Sequence, residues 1–169
     1  MGLKNFVSKF IKVQRAIGVM LAIFLPLLIV IQVILRYVFK APLMGIEELM
    51  LFPTIWLYMI GGANASQEKS HIECGILTLY IKKPRSMQIF KIFKGAFSVA
   101  ISIWLTYWSY WLFSYSLKLW KTSNLLYIPM FFAESAMFIG LVLMTIYASY
   151  ELYEYIIDFK NGPEIEGGL

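Results

Sequence analysis

Four long apolar runs, separated by shorter polar stretches, divide this chain into segments. Each run has about the 20 residues that an α-helix needs to cross the hydrocarbon core of a membrane. The pattern predicts an all-α fold with four transmembrane helices in one membrane domain, residues 1–169. The predicted spans cover residues 16–39, 47–66, 96–117 and 130–150.

Three segments beside these spans alternate basic or polar residues with apolar ones, as helices that lie on a membrane surface do. The first is residues 1–18, and the other two, residues 72–81 and 86–95, follow the second span. They predict short amphipathic surface helices before the first span and between the second and third. A further amphipathic stretch is expected to continue the fourth span until Asn161, where Gly and Pro follow.

The basic residues are distributed unevenly between the two sides of these spans. Eleven of the 15 Lys and Arg residues fall in the N-terminal segment, the connection between spans two and three, or the tail, and four fall on the opposite side. Because cytoplasmic segments carry an excess of Lys and Arg, this asymmetry predicts that both termini are cytoplasmic.

The composition excludes several classes of protein. The chain is 60% hydrophobic, 17% aromatic and 15% charged, with a mean hydropathy of +0.70, which is typical of a polytopic membrane protein. Four spans leave no room for a catalytic domain, and one Cys and one His cannot supply the paired ligands that a metal or haem usually needs. We therefore expect no enzyme, no cofactor and no metal. The net charge of +5 follows from membrane topology and does not indicate nucleic-acid binding.

A polar cluster is predicted where the first two spans meet the outer connection. Gln32 and Arg36 are four residues apart and share one helix face in an otherwise aliphatic span. Glu47 and Glu48 open the next helix at nearly the same membrane depth, where the helix dipole favours acids. Because a guanidinium in an apolar span needs an anion or lipid headgroups, we expect Arg36 to pair with one of these glutamates.

Other candidates are residues suited to packing one helix against another. Small residues near the end of span two let a second backbone approach closely, and serines recur at helical spacing along span three, including Ser98 and Ser116. Ala136 and Gly140 form a second small-residue pair in span four. The complete set of candidate helix-pairing or partner-interface residues is Gln32, Arg36, Glu47, Glu48, Trp56, Gly61, Gly62, His71, Ser102 and Ser109.

The middle of each predicted span lacks an ionisable residue. A transporter that works alone normally needs a binding or coupling group near the midplane. The chain is therefore expected to work with a partner. A self-contained four-helix exporter and a structural subunit of another membrane complex remain the alternatives.

The ordered motifs resemble those of one known family. They are QVILRYVF at 32–39, two Glu at 47–48, Trp56, GGA at 61–63 and KSHI at 69–72. Together with the predicted topology they are similar to the small integral membrane subunit of TRAP (tripartite ATP-independent periplasmic) transporters, the DctQ-like family.

This resemblance implies a non-catalytic subunit in a bacterial inner membrane, surrounded by membrane lipids. It implies a much larger membrane subunit that carries the sodium and substrate sites. It also implies a periplasmic substrate-binding protein that delivers a carboxylate-bearing solute, such as a C4-dicarboxylate or sialic acid, for sodium-driven uptake.

Overall fold

The computed structural model describes residues 2–40, 45–68 and 84–161, and the regular elements there are four α-helices. They are α1 (Gly2–Tyr37), α2 (Gly45–Gln67), α3 (Pro84–Leu119) and α4 (Phe131–Asn161). The predicted all-α class is confirmed. By length and composition, three of these helices are able to cross a membrane, namely α1, α3 and α4.

Two of the predicted surface helices are not separate elements. Residues 2–18 belong to α1 and residues 86–95 to α3, so each of these helices has 36 residues. No proline or turn separates the amphipathic part from the apolar part, and extending a helix adds one hydrogen bond per residue without a new nucleation step. The third predicted surface segment, residues 72–81, and the candidate His71 lie outside the described residues.

The less exposed face of α1 follows a regular spacing. Its positions recur alternately every three and four residues, which is the spacing of a helix that packs along a nearly parallel neighbour. These positions are Ile11, Gln14, Gly18, Leu21, Leu25, Leu28, Gln32 and Leu35. This face contacts α2, and a Cβ atom added at Gly18 would lie 3.3 Å from the side chain of Asn64.

The helices are arranged in the order α1, α2, α4, α3. Packing is most extensive between α3 and α4, then between α2 and α4, then between α1 and α2. In the described part of the chain, α1 and α3 therefore stand at the two edges of the row. Their most apolar stretches are only 6% buried, compared with 22% for α4.

The core of this row is built from small side chains. Ala63 of α2 and Ala133 and Ala136 of α4 are almost completely buried. A Cβ atom at Gly140 would lie 2.6 Å from the Cβ of Met59, so the backbones of α4 and α2 come close there. Such contacts suit helix association in a membrane, where close packing replaces the hydrophobic effect.

The connection between α3 and α4 is a short hairpin, residues 120–130. The amide of Ser123 donates to the carbonyl of Ile128 at 2.9 Å, and the amide of Met130 donates to the carbonyl of Lys121 at 2.8 Å. Trp120 and Tyr127 have positive φ angles of 45° and 53°, which allow the chain to reverse within this length.

Candidate functional site

Gln32 joins the C-terminal end of α1 to the N-terminal end of α2, which the sequence predicts to lie on the outer side of the membrane. Its Nε2 donates to Oε1 of Glu47 at 3.1 Å. Arg36 forms no ion pair with either glutamate and lies with its guanidinium carbon 6.0 Å from the centre of the Tyr37 ring. The predicted Arg36 ion pair is therefore wrong. Both glutamates are bonded elsewhere, Glu47 to Gln32 and Glu48 to the loop residue Ser123, and the side chain of Arg36 stays exposed.

Glu48 binds the hairpin instead of a helix. Its carboxylate accepts hydrogen bonds from the Ser123 hydroxyl and from the backbone amides of Leu125, at 3.1 Å, and Leu126, at 3.0 Å. The first turn of α2 thereby fixes the conformation of a loop more than 70 residues away in the chain. Sequence spacing contains no signal for such a contact.

Trp56 and Gly62 lie along the contact between α2 and α4, whereas Gly61 is exposed. The indole N–H of Trp56 donates to the carbonyl of Phe132 at 3.1 Å. A Cβ atom at Gly62 would lie 2.3 Å from Cε of Met144, whereas one at Gly61 would meet nothing within 4 Å. Of the two predicted glycines, only Gly62 packs against another helix in the described structure.

The serine face of α3 is turned toward α4 at Ser109 and Ser116, which are both buried. Ser102 instead donates to the carbonyl of Ser98 in its own helix, at 2.8 Å. A hydrogen bond between the two helices is formed by Thr106, whose hydroxyl lies 2.9 Å from that of Thr145 in α4. Thr106 was detectable in the sequence, since it lies four residues after Ser102 and three before Ser109.

A second polar cluster, at the opposite end of α2, was missed by the sequence reading. Nε2 of Gln14 donates to Oδ1 of Asn64 at 2.9 Å, and the hydroxyl of Tyr147 donates to Oε1 of Gln14 at 3.0 Å. Gln14 is only 5% exposed and connects α1, α2 and α4. Beside it, Arg15 and Glu68 form a solvent-exposed ion pair. The missed signal is that Gln14 lies 18 residues, five helical turns, before Gln32 and so on the same face.

The side-chain hydrogen bonds described above show which chemistry this site supports. The hydrogen bonds of Gln14, Gln32, Trp56 and Thr106 each join two helices, and those of Glu48 join a helix to a loop. Within the described residues, no group of three His, Cys, Asp or Glu side chains is placed to hold a metal ion. The chemistry in the described structure is therefore that of helix pairing.

Comparison with known proteins gives one family match. The profile of the family "Tripartite ATP-independent periplasmic transporters, DctQ component" matches residues 25–157. A search among curated proteins found no match. The matched region begins inside α1 and ends near the end of α4, and it includes the outer polar cluster but not Gln14. The predicted resemblance is confirmed. The chain belongs to the DctQ family, the small membrane components of tripartite ATP-independent periplasmic transporters.

Proposed function

We propose that this protein is the subunit that supports and anchors the large membrane subunit of a TRAP transporter in a bacterial inner membrane. The complete transporter would take up a carboxylate-bearing solute, such as a C4-dicarboxylate or sialic acid, with sodium. A periplasmic binding protein would deliver the solute. The observation that carries the proposal is the DctQ match together with the open row of helices, in which α1 and α3 stand at the two edges of the described structure.

All four helices are proposed to cross the membrane. α2 has 23 residues and is therefore about 34 Å long, enough for a hydrocarbon core of about 30 Å. It packs between α1 and α4, both of which are apolar enough to span. Its polar side chains Glu47, Glu48 and Asn64 lie near its ends and are hydrogen-bonded, which lowers the cost of placing them at membrane depth.

With four spans, both termini lie on the same side of the membrane. The excess of Lys and Arg in the N-terminal segment and in the connection before α3 favours the cytoplasmic side for them. The hairpin between α3 and α4 would then face the periplasm. Reporter fusions after Lys121 and after Lys160 should give opposite locations, and the same location for both would contradict this topology.

The polar contacts of the described helices support an assembly role. Gln32, Glu47, Glu48 and Trp56 hold the helices and the outer hairpin in fixed positions. A subunit with fixed helix positions and open edge faces can present a rigid surface to a larger membrane protein. The exposed candidates Arg36 and Gly61 are proposed to serve that surface, and His71, which lies outside the described residues, stays a candidate contact to the partner.

The test is reconstitution of purified components in liposomes with an imposed sodium gradient. The small chain alone, the large subunit alone and both together are each compared in the presence of the binding protein loaded with radiolabelled solute. We expect uptake only when both membrane subunits are present.

The same preparation separates this function from the alternatives. Uptake or export by the small chain alone would indicate a self-contained transporter. Stable isolation of the chain with a membrane complex that has no transport activity would indicate a structural subunit of another assembly. Either result would contradict the proposal.

A further inference from the structure

The outward face of α3 carries a row of large residues at a regular spacing. Its positions recur every four and three residues in alternation, and each is between 43% and 66% exposed in the described structure. We call this row the aromatic seam, and its members are Phe97, Ile101, Trp104, Trp108, Trp111 and Tyr115. This spacing places all six side chains on one continuous face of the helix.

The seam is opposite the side of α3 that is already occupied. Ser109 and Phe113 are rotated by about a third and about half of a turn from the seam, and they face α4, where the Phe113 ring stacks on Phe138 at 5.6 Å. α3 therefore has two packing faces, and the chain's own described helices use only one.

Polar atoms on the seam lie deep in the proposed membrane span. Trp108 is 11 residues from the outer end of α3 at Leu119, which places it about 16 Å inward, near the middle of a core about 30 Å thick. Indoles that anchor a protein at the membrane surface sit at headgroup level, so anchoring does not account for Trp104 or Trp108. In the described residues, the indole N–H groups of Trp104, Trp108 and Trp111 have no acceptor.

The rings of the seam are also held in place by one another. Trp108 and Trp111 meet edge to face with centroids 6.2 Å apart, and Trp111 stacks on Tyr115 at 6.0 Å. Large aromatic side chains that are already ordered lose little entropy on binding, and Trp and Tyr are enriched among the residues that dominate binding energy.

The outward face of α1 differs from the aromatic seam in its capacity to donate hydrogen bonds. Met20, Ile23, Leu27 and Val30 are all well exposed, and none of them has a hydrogen-bond donor. Lipid chains satisfy such a face without any protein partner. The two edge helices therefore present one surface suited to lipid and one surface suited to protein.

We infer that the aromatic seam of α3 is the docking surface for a membrane helix of the large transport subunit, and that the outward face of α1 contacts lipid. The inference rests on the proposed function. The occupant must supply acceptors opposite the indoles, such as Ser, Thr or Asn side chains or the free carbonyls of a broken helix. A second copy of this chain fits poorly, because the three indole donors of one seam would meet the same three donors of the other.

The test is site-specific photo-crosslinking in cells that coexpress the large subunit. A photoreactive phenylalanine analogue replaces Trp104 or Trp108 on the seam, and Ile23 or Leu27 on α1 as matched exposed controls. We expect a crosslink to the large subunit, identified by mass spectrometry, from the seam and not from α1. Crosslinks only from α1, or from the seam to a second copy of this chain, would overturn the inference.

A second measurement removes the donors but keeps the rings. Trp104→Phe, Trp108→Phe and Trp111→Phe are combined, and Trp120→Phe, an exposed indole in the hairpin, makes the same chemical change away from the seam. With three membrane hydrogen bonds of average strength lost, the triple variant should bind the large subunit roughly twentyfold more weakly, and Trp120→Phe should bind normally. Both should remain monodisperse in detergent.

The outcomes separate this inference from the proposed function. If the unaltered chain binds no large subunit, the proposed function fails. If the unaltered complex forms but the triple variant and Trp120→Phe bind equally well, the proposed function stands and the seam is not the docking surface.

Discussion

The two ends of α2 are fixed to their neighbours by different chemistry. At the C-terminal end of α2, which is the inner end in the proposed topology, neutral side chains of Gln14, Asn64 and Tyr147 bond to one another between three helices. At the outer end, the carboxylate of Glu48 accepts from the hairpin, mostly from backbone amides, on an accessible edge of the protein. Neutral groups thus occupy the dehydrated positions, and charged groups lie at the margins. Burying a neutral hydrogen-bonded group is much less costly than burying a charge.

The largest effect should come from breaking the inner cluster. Gln14→Leu removes both bonds and leaves Asn64 and Tyr147 without their helix-to-helix partner, which should lower the free energy of unfolding by about 1–3 kcal/mol. Thermal unfolding of the purified protein in detergent measures this as a lower midpoint. Asn5→Leu makes a similar change at an exposed position of the same helix and should leave the midpoint nearly unchanged.

The double variant Gln14→Leu/Asn64→Leu tests whether the loss of stability comes from leaving a buried amide without a partner. It removes the donor and the acceptor together, so it should recover part of the loss, because no buried amide is then left unpaired. Equal midpoints for the parent, Gln14→Leu and Asn5→Leu would mean that the inner cluster does not hold the three helices together.

An intermediate and local effect is expected at the outer end. Glu48→Ala removes the acceptor for the amides of Leu125 and Leu126, so these amides should exchange hydrogen with solvent faster while the helices keep their protection. Hydrogen exchange followed by mass spectrometry measures both regions. Glu47→Ala is the matched control, because Glu47 accepts from Gln32 and not from the hairpin. Equal exchange in the two variants would exclude Glu48 as the residue that orders the hairpin.

The helices and their small-residue contacts were predictable, but the partners of the polar side chains mostly were not. The apolar runs predict the four helices, of which three are long and apolar enough to cross a membrane, and Gly62 and Gly140 stand out because only small residues permit close backbones. Hydrogen-bond partners are harder to predict from the sequence. The partners of Gln14, for example, are 50 and 133 positions away from it in the chain. Such pairings depend on helix order in space, which hydropathy does not reveal.

Arg36 and Gln14 illustrate two different kinds of error. Helix face and membrane depth predict a pair between Arg36 and a glutamate, but neither property reveals that Glu47 bonds to Gln32 and Glu48 to the hairpin. The prediction of a separate surface helix over residues 1–18 places Gln14 and Gln32 on different elements and so hides that they share a face. A continuous α1 makes that relation direct, because both residues then belong to one stripe.

The smallest effect should come from the exposed ion pair beside the inner cluster. Arg15 and Glu68 side chains are 58% and 46% exposed, so water screens their attraction and the pair should contribute only about 0–1 kcal/mol. A double-mutant cycle with Arg15→Gln, Glu68→Gln and both together isolates this coupling in unfolding measurements. Lys12→Gln removes a charge from the same surface of α1 and is the control, since Lys12 forms no ion pair in the described structure.

Raising the salt concentration tests whether the ion pair of Arg15 and Glu68 is exposed to water or dehydrated. Coupling between exposed charges should fall when ionic strength is raised from about 0.01 M to about 1 M, as the screening length shortens from about 30 Å to about 3 Å. Loss of Gln14 should remain equally destabilising under both conditions, because its bonds are neutral and buried. A coupling between Arg15 and Glu68 well above 1 kcal/mol that resists salt would mean that the pair is dehydrated. In that case the inner end would also depend on a buried charge pair, and its contrast with the outer end would fail.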